Sequence, residues 1–424
     1  MGDKCLDSIQ KCGIFGVSQV MAQIKGASVV IHGPKGCVFP AYEASIADSL
    51  NISYTEMCRK STVFGGERDA IEKVKDEYYE SLPEIMEIIT TCASEIIGDD
   101  INGIINSANL EIPVISIEGG SFNNSQLDGL NIAMLKIVKS LCKKCENVEN
   151  IINIFGTVGR SYTWKADANH LSELLQEFGV HARALFLDTN VQEISTYSNA
   201  RLNVIIDKNY GIPCAEYMKE TFGIPYIVAD YPLGIKNTEM FIQSILKALG
   251  SFDIDTETFA DYRKNVKSTF RTSLGRVNTF RMFEEIRKLK KVIIGYEEPS
   301  AALLQTLVNE LENNVDCIIV KENHLEDKQY FEKRIHEISP KTQVFVTNDR
   351  NEIIEYLRDH KFEVVLGSDV EYYAIEDKKS FAYVNIEYPG ARELHIKPKY
   401  YVGYQGMLNF VEDYYNKIIN MHIF

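Results

Sequence analysis

The feature that most constrains the fold is a series of short β-branched runs that alternate with amphipathic stretches of helical length. Runs such as Ala27–His32 and Lys291–Gly295 are mostly apolar, so both faces of each strand are expected to be buried. Parallel sheets covered by helices have this pattern, because a crossover between parallel strands usually carries a helix. The chain is therefore predicted to be an α/β protein.

Ten such runs predict strands, and several end in Gly, Asp or Asn, as strand-to-loop turns do. Ligands of open α/β sheets gather at the carboxyl ends of strands, so the residues after the runs are the first candidates for a site. The runs span residues 27–32, 85–91, 113–118, 151–155, 202–207, 225–229, 291–295, 316–320, 342–347 and 362–366.

A chain of 424 residues is too long for one ordinary core. Its composition changes at the polar segment Leu141–Asn150 and in the charged stretch Asp261–Lys290, which suggests boundaries there. We expect three Rossmann-like parallel-sheet domains, over residues 1–150, 151–285 and 286–424, the last with a C-terminal return helix.

Composition narrows the class of protein further. The chain is 45% hydrophobic and 25% charged, which is typical of a folded protein. Its net charge of −15 argues against nucleic acid or anionic lipid as a partner. The polar N-terminus and the lack of long apolar runs predict a cytoplasmic protein. In that reducing compartment the nine cysteines are expected to be ligands or buried small hydrophobes, not disulfides.

Three cysteines stand in positions that suit a metal cluster. Cys37 follows the first strand run, between turn-permissive neighbours such as Gly33 and Gly36. Cys92 follows the second run, where a helix is expected to begin and to lower the pKa of a thiol. Cys12 precedes an amphipathic stretch. Loop thiolates of this kind suit iron, but from residue types and spacing alone ligands and buried core thiols are about equally supported.

Four sequence segments give information that the cysteine spacing does not, because together they resemble the nitrogenase component 1 family. That family contains the nitrogenase catalytic subunits, the cofactor-assembly scaffold and the dark-operative protochlorophyllide reductases. The resemblance covers nearly the whole chain and implies three Rossmann-like domains around a central cleft. The segments are Ile-His-Gly-Pro-Lys-Gly-Cys (31–37), Val-Phe-Gly-Gly-Glu-Arg (63–68), Thr-Thr-Cys-Ala-Ser-Glu-Ile-Ile-Gly-Asp-Asp (90–100) and Tyr-Val-Gly-Tyr-Gln-Gly (401–406).

The resemblance implies a role for the three cysteines. In the family, the residues that match Cys12, Cys37 and Cys92 bind the cluster that first receives electrons. That cluster is either [4Fe-4S] or a P-cluster-like [8Fe-7S] group at a subunit interface. Three thiolates leave one iron of a [4Fe-4S] cluster without a protein ligand. The fourth ligand would be Cys58, Cys5, an Asp, or a residue of a neighbouring subunit.

The resemblance also implies partners. The chain has no G-x-x-x-x-G-K-[ST] phosphate loop with which to hydrolyse ATP. A separate ATP-dependent iron protein, resembling nitrogenase reductase, is therefore expected to deliver electrons. A homo- or heterodimer, or a tetramer, with a component 1 type subunit is expected as well.

Two positions depart from the nitrogenase subunit that holds the catalytic metallocluster. Asp207 stands where that subunit has a Cys ligand, and Val402 stands where it has a His ligand. A carboxylate is a poor substitute for a thiolate on a sulfide-rich cluster, and Val has no donor. No iron–molybdenum cofactor is therefore expected on this chain.

The sequence accordingly predicts an iron–sulfur electron-transfer and catalytic subunit of a nitrogenase-like reductase, with its substrate in the central cleft. A scaffold for metallocluster assembly is the alternative. A Rossmann-type binding protein without a cluster is a third hypothesis. Weak candidates for proton delivery to a substrate are Asp207, His32 and His395. The pair Cys142 and Cys145 lacks the further ligands of a zinc site, so an exposed helix end is expected there.

Overall fold

Three parallel β-sheets organise the chain. The structure, a computed structural model, describes residues 11–421 except 46–47, 49, 121–123, 146, 160, 162, 251–255, 275–278, 322–327, 348, 377–380 and 388–395. Over these residues the strand orders are β2-β1-β3-β4, β6-β5-β7-β8 and β11-β10-β9-β12-β13. The strands are β1 (Ala27–His32), β2 (Asn51–Tyr54), β3 (Ile85–Thr90), β4 (Val114–Glu118), β5 (Ile151–Phe155), β6 (His181–Ala184), β7 (Leu202–Ile205), β8 (Tyr226–Val228), β9 (Lys291–Gly295), β10 (Cys317–Val320), β11 (Gln343–Val346), β12 (Val364–Gly367) and β13 (Ala382–Asn385).

Helices connect the strands, as the pattern of crossovers predicts. They are α1 (Gly13–Met21), α2 (Phe39–Ala44), α3 (Arg59–Phe64), α4 (Glu67–Ser81), α5 (Cys92–Ile97), α6 (Ile101–Ala108), α7 (Gln126–Leu141), α8 (Trp164–Glu177), α9 (Val191–Ser195), α10 (Ile212–Phe222), α11 (Ile235–Ala248), α12 (Thr256–Leu274), α13 (Thr279–Lys288), α14 (Glu297–Gln305), α15 (Lys328–Ile338), α16 (Arg350–Asp359), α17 (Asp369–Ile375) and α18 (Gly403–Ile419). Short 3₁₀ turns cover Lys35–Val38 and Tyr197–Asn199, and a π-helical turn covers Thr306–Glu310.

All ten predicted strands are present, each within two residues of the predicted bounds. The α/β class with three parallel-sheet domains is therefore confirmed. The sequence reasoning missed β2, β6 and β13, which are four-residue strands. Each of the three lies at one end of its sheet.

The first sheet sets the position of two of the three cysteines. Strands β1 and β3 are buried at every residue and pair in parallel, with His32 opposite Thr90. Because parallel neighbours end at the same edge of a sheet, the loop after β1 and the helix after β3 leave the sheet side by side. Those two segments carry Cys37 and Cys92.

The close packing of α1 on α7 positions Cys12. A Cβ on Gly16 would lie 1.9 Å from the carbonyl oxygen of Gln126, and one on Gly129 would lie 2.2 Å from that of Gly13. Only glycine fits these two positions without a shift of the backbone, so the two helices approach more closely than larger residues would permit. Cys12 lies directly before α1.

By its internal contacts the chain divides into two compact units. One comprises Met1–Val158 with Arg183–Tyr226, and the other comprises Gly159–Ala182 with Ile227–Phe424. The first unit contains the first sheet, and the second contains the five-stranded sheet. The predicted domain boundaries near residues 150 and 285 stay a prediction. Among the described residues, no helix is both long enough and apolar enough to cross a bilayer.

Candidate iron–sulfur site

Cys37 lies in the 3₁₀ turn that follows β1, on a loop held from two sides. The amide of Gly33 donates to Oγ1 of Thr55 at 3.1 Å, and its carbonyl accepts from the amide of Met57 at 3.2 Å. A Cβ on Gly33 would lie 2.3 Å from Oγ1 of Thr91, so the loop is pressed against the end of β3. The thiol is thus presented by a fixed backbone.

Cys92 is the first residue of α5. The amide of Thr91 donates to Oγ of Ser94 at 2.9 Å, and that hydroxyl donates to the carbonyl of His32 at 2.8 Å. The hydroxyl of Thr91 donates to the same carbonyl at 3.1 Å. These bonds tie the ends of β1 and β3 together and fix the start of α5.

Cys12 is fixed by the segment that leads into α7. It forms an isolated antiparallel bridge with Ser125, and the amide of Gly13 donates to the carbonyl of Asn124 at 3.0 Å. Burial raises the pKa of the Cys12 thiol, while the amides of Ile14 and Phe15 donate to its sulfur and oppose the rise. Such N–H groups also suit a thiolate that is bound to iron.

The structure brings the three thiols together. Burial raises the pKa of Cys37 to about 11, and the neighbouring thiols of Cys12 and Cys92 add to the rise. Cys92 likewise raises the pKa of Cys12. All three pairs are therefore close enough to interact electrostatically, although they come from three separate segments of the chain.

The donor set fits an iron–sulfur cluster. Within the described residues, no three His, Cys, Asp or Glu side chains converge on a single metal ion. A cluster needs a wider arrangement, because each thiolate binds a different iron atom. The three thiols are partly exposed rather than sealed in the core, and a Cβ on Gly36 would meet nothing within 4 Å, so there is space beside Cys37. The role of the three cysteines as ligands stays a prediction.

Cys58 is the described candidate for a fourth ligand, and Cys5 lies outside the described residues. Cys58 is exposed at the start of α3, next to Met57, whose amide binds the Cys37 loop at Gly33. A hydrogen bond with the side chain of Ser61 is the main cause that lowers the pKa of the Cys58 thiol. This thiol is more accessible than the other three, and none of them contributes to its pKa shift.

His32 links two of the segments that carry the family resemblance. Its ring is fully buried, with Nδ1 at 3.1 Å from Oγ1 of Thr55 and Nε2 at 2.8 Å from Oδ2 of Asp99. Asp99 also accepts from the amide of Gly66 at 3.1 Å. A Cβ on Gly66 would lie 2.8 Å from Cε1 of His32, which explains why this position is occupied by glycine. Asp99 is thus a structural link to which the sequence reasoning gave no role.

The two positions that depart from the nitrogenase pattern are both buried. Oδ1 of Asp207 accepts from the amide of Asn209 at 2.9 Å. The amides of Val402 and Tyr401 donate to Oδ1 of Asp167, at 3.3 and 2.7 Å. Sequence reasoning missed Asp167, because the amides that it binds in the C-terminal motif lie more than 230 residues away along the chain, while its nearby partner Thr163 gives no sign of that contact.

The sequence prediction for the pair Cys142 and Cys145 is right in part. Helix α7 ends at Leu141, as expected near the cysteine pair. The expectation of an exposed helix end is right for Cys145 and wrong for Cys142, which is buried and donates to the carbonyl of Ile194 at 3.0 Å. Its burial is typical of a free cysteine that serves as a small core residue. His395 lies outside the described residues.

A comparison with known protein families decides the classification. The model of the nitrogenase component 1 type oxidoreductases matches residues 12–419. The chain belongs to this family. The resemblance inferred from the four sequence segments is therefore confirmed.

Relatives of this nitrogenase-like chain include nitrogenase beta chains and a cofactor biosynthesis protein. A nitrogenase vanadium-iron protein beta chain from Trichormus variabilis is 28% identical, over 58% of this chain and 58% of its own length. A nitrogenase molybdenum-iron protein beta chain from Methanococcus maripaludis is 24% identical, over 98% and 95%. A nitrogenase iron-molybdenum cofactor biosynthesis protein from Clostridium pasteurianum is 26% identical, over 58% and 55%. The chain thus spans less than three fifths of the first and third relatives.

A solved structure has the same fold. The chain in "Nitrogenase Cp1 at pH 6.5" superposes with a TM-score of 0.83, covering 99% of this chain and 95% of that one. Its sequence is 16% identical, so the likeness concerns the fold alone.

Proposed function

We propose that Cys12, Cys37 and Cys92 bind an iron–sulfur cluster and that the chain is the electron-accepting, catalytic subunit of a nitrogenase-like reductase. The observation that carries the proposal is the proximity of the three thiols, since Cys12 and Cys92 both lie close enough to Cys37 to raise its pKa although they come from separate segments. Burial disfavours the thiolate form of Cys12 and Cys37, and bound iron would stabilise that form.

When bound, the cluster supplies a site that accepts and releases single electrons at low potential. The chain's own residues do the rest. The loop after β1 and the start of α5 hold Cys37 and Cys92 on backbone that the Thr91 and Ser94 hydrogen bonds fix. The amides of Ile14 and Phe15 stabilise negative charge on the sulfur of Cys12. A fixed set of donors is what a redox site requires, since it limits rearrangement between charge states.

We further propose that a second component 1 type subunit, identical or homologous, covers the cluster. Large apolar side chains are exposed on the segments that carry the cysteines or adjoin them. Several large exposed apolar residues on segments next to a site suit a subunit interface. The partner would also offer a fourth ligand if Cys58 does not. The exposed residues are Phe39, Tyr42, Val63, Phe64 and Ile96.

An ATP-dependent iron protein is proposed as the electron donor. The chain has no phosphate loop of its own, and its net charge of −15 suits a donor with a basic docking surface. The substrate is proposed to bind in the central cleft that the family resemblance implies. Because Asp207 and Val402 offer no soft donor, we propose that this chain holds no iron–molybdenum cofactor.

A metallocluster scaffold is the second candidate function. The match to the cofactor biosynthesis protein of Clostridium pasteurianum favours it. Buried Asp207 and Val402 count against firm ligation of a cofactor, which is compatible with a scaffold that releases its cargo.

Electron transfer tests the proposal and separates the two candidates. The anaerobically purified protein is mixed with an ATP-dependent iron protein of the nitrogenase type, MgATP and dithionite, and its cluster is followed by EPR. The reductase requires ATP-dependent reduction of the cluster and its reoxidation by an added substrate. Absence of turnover, together with transfer of a metallocluster to an acceptor protein, would favour the scaffold.

A further inference from the structure

A cavity of about 450 Å³ lies within the second unit, between α11, α12, α18 and the π-helical turn Thr306–Glu310. Small-molecule pockets typically have volumes of about 300–1,000 Å³. Most of its wall is apolar, with side chains such as Val266, Phe270, Leu311 and Met407. A single π-helical turn at its edge is a further sign, because such turns are frequent at functional sites. The cavity shares no residue with the cysteine site.

The two acidic side chains in the wall are already bound within the protein. Glu239 pairs with Arg263 through two hydrogen bonds, of 2.6 Å to Nε and 3.0 Å to Nη2. Glu310 accepts from the amides of Ile235 at 2.9 Å and Lys236 at 3.0 Å, at the start of α11. Both carboxylates therefore have their charge compensated before any ligand enters.

The wall has three positive side chains, Lys236, Arg263 and Lys267, and two negative ones, and Lys236 lies close enough to Glu310 to oppose the rise in the pKa of that carboxyl. Lys236 and Lys267 both line the cavity and are exposed, and neither side chain forms an ion pair with another described residue. The wall thus combines a mainly apolar surface with two exposed lysines. An occupant that matches this arrangement has an apolar body and one negative group.

We propose that this cavity binds a small organic anion with an apolar body, of the class of medium-chain or aromatic carboxylates. The apolar part would displace water from the wall formed by α12 and α18, and the carboxylate would face Lys236 and Lys267. The cavity is separate from the proposed cluster site, so this proposal does not depend on the proposed reductase function.

Calorimetric titration of the intact, cluster-containing protein with decanoate tests the site. We expect one binding site, and decyltrimethylammonium, which has the same chain and the opposite charge, is expected to bind at least about tenfold more weakly. Higher salt should weaken the binding of decanoate, because the lysines are exposed. Equal affinity for the two amphiphiles, or the absence of binding, would overturn the proposal.

Variants locate the site. Lys236→Glu and Lys267→Glu should each weaken decanoate binding about fivefold or more. Lys264→Glu is the matched control, because Lys264 is exposed on the same helix as Lys267 but does not line the cavity. Met407→Trp should abolish binding by filling the space. If that variant does not fold, the lysine variants decide alone, and equal effects of Lys264→Glu and Lys267→Glu would refute the site.

Discussion

Substituting Gly33 by Ala tests whether the geometry of the Cys37 loop determines cluster binding. The new Cβ would lie 2.3 Å from Oγ1, 2.4 Å from Cγ2 and 2.8 Å from Cβ of Thr91. Rotation of the Thr91 side chain does not relieve the contact, because its Cβ is itself too close. Ordinary contact begins at 3.4 Å, so even with the Thr91 side chain rotated the loop and strand must separate by about 0.6 Å, the difference between 3.4 and 2.8 Å.

This displacement has two measurable consequences. Overpacking of this kind costs about 1–3 kcal/mol. For a unit of this size, each kcal/mol lowers the melting temperature by about 2–4 °C, so a fall of about 2–12 °C is expected in calorimetry. Metal–ligand distances tolerate only about 0.2 Å, so the iron content after anaerobic purification should fall as well.

The matched control is Gly36→Ala in the same loop. A Cβ at Gly36 meets nothing within 4 Å, so the melting temperature should stay within the effect of about 0.5 kcal/mol that is usual for surface changes. Unchanged stability and iron content in Gly33→Ala would refute the idea that this loop positions the ligand.

Three further predictions concern charge and hydrogen bonding. Burial raises the pKa of Asp167 to about 6 from 3.8, so its contribution to stability is full below about pH 4 and is lost as the pH rises through 6. The unfolding free energy of the wild type minus that of Asp167→Asn should therefore fall by about 3 kcal/mol from pH 4 to 7. Urea titrations measure both free energies, and curves of free energy against pH that run parallel for the two proteins would contradict this. In cluster-free protein, Cys58 should react with iodoacetamide well before Cys37. The reason is that a pKa of about 11 leaves Cys37 with about 100-fold less thiolate than the ordinary value of 9.0 would. Peptide mass spectrometry that finds Cys37 modified first would refute this prediction. Asp99→Asn should lower the free energy of unfolding by about 1–3 kcal/mol, because it removes a buried charged acceptor. Asp100→Asn is the control, since asparagine keeps the cap of α6 and should leave the melting temperature in calorimetry nearly unchanged.

The fold was largely predictable because its strands are buried on both faces. The sequence of such a strand is a nearly continuous apolar run, regardless of which strands it pairs with, and this pattern predicts all ten. The strands that were missed lie at sheet ends, and β2, for example, is Asn-Ile-Ser-Tyr, which has little apolar signal. Gly13 and Gly16 suggest a turn from the sequence alone, but both lie within α1, where Gly16 permits close packing on α7.

The site was predictable only in part, for a related physical reason. The cysteines lie in a turn or at the start of a helix, positions that the local sequence indicates, so the sequence could suggest them as ligands. Their supports are contacts between distant segments, such as His32 with Asp99 and Asp167 with Tyr401. A single sequence contains no local signal for such pairs, because a buried carboxylate next to an amide has no characteristic neighbours along the chain.

The most direct test of the account is the iron and acid-labile sulfide content of the anaerobically purified protein, measured with its EPR spectrum after reduction. We predict a cluster in the wild type, its loss in Cys37→Ala and Cys92→Ala, and its retention in Cys145→Ala, whose thiol is exposed and outside the three-cysteine site. An iron-free wild type, or full cluster retention in Cys92→Ala, would contradict the central claim.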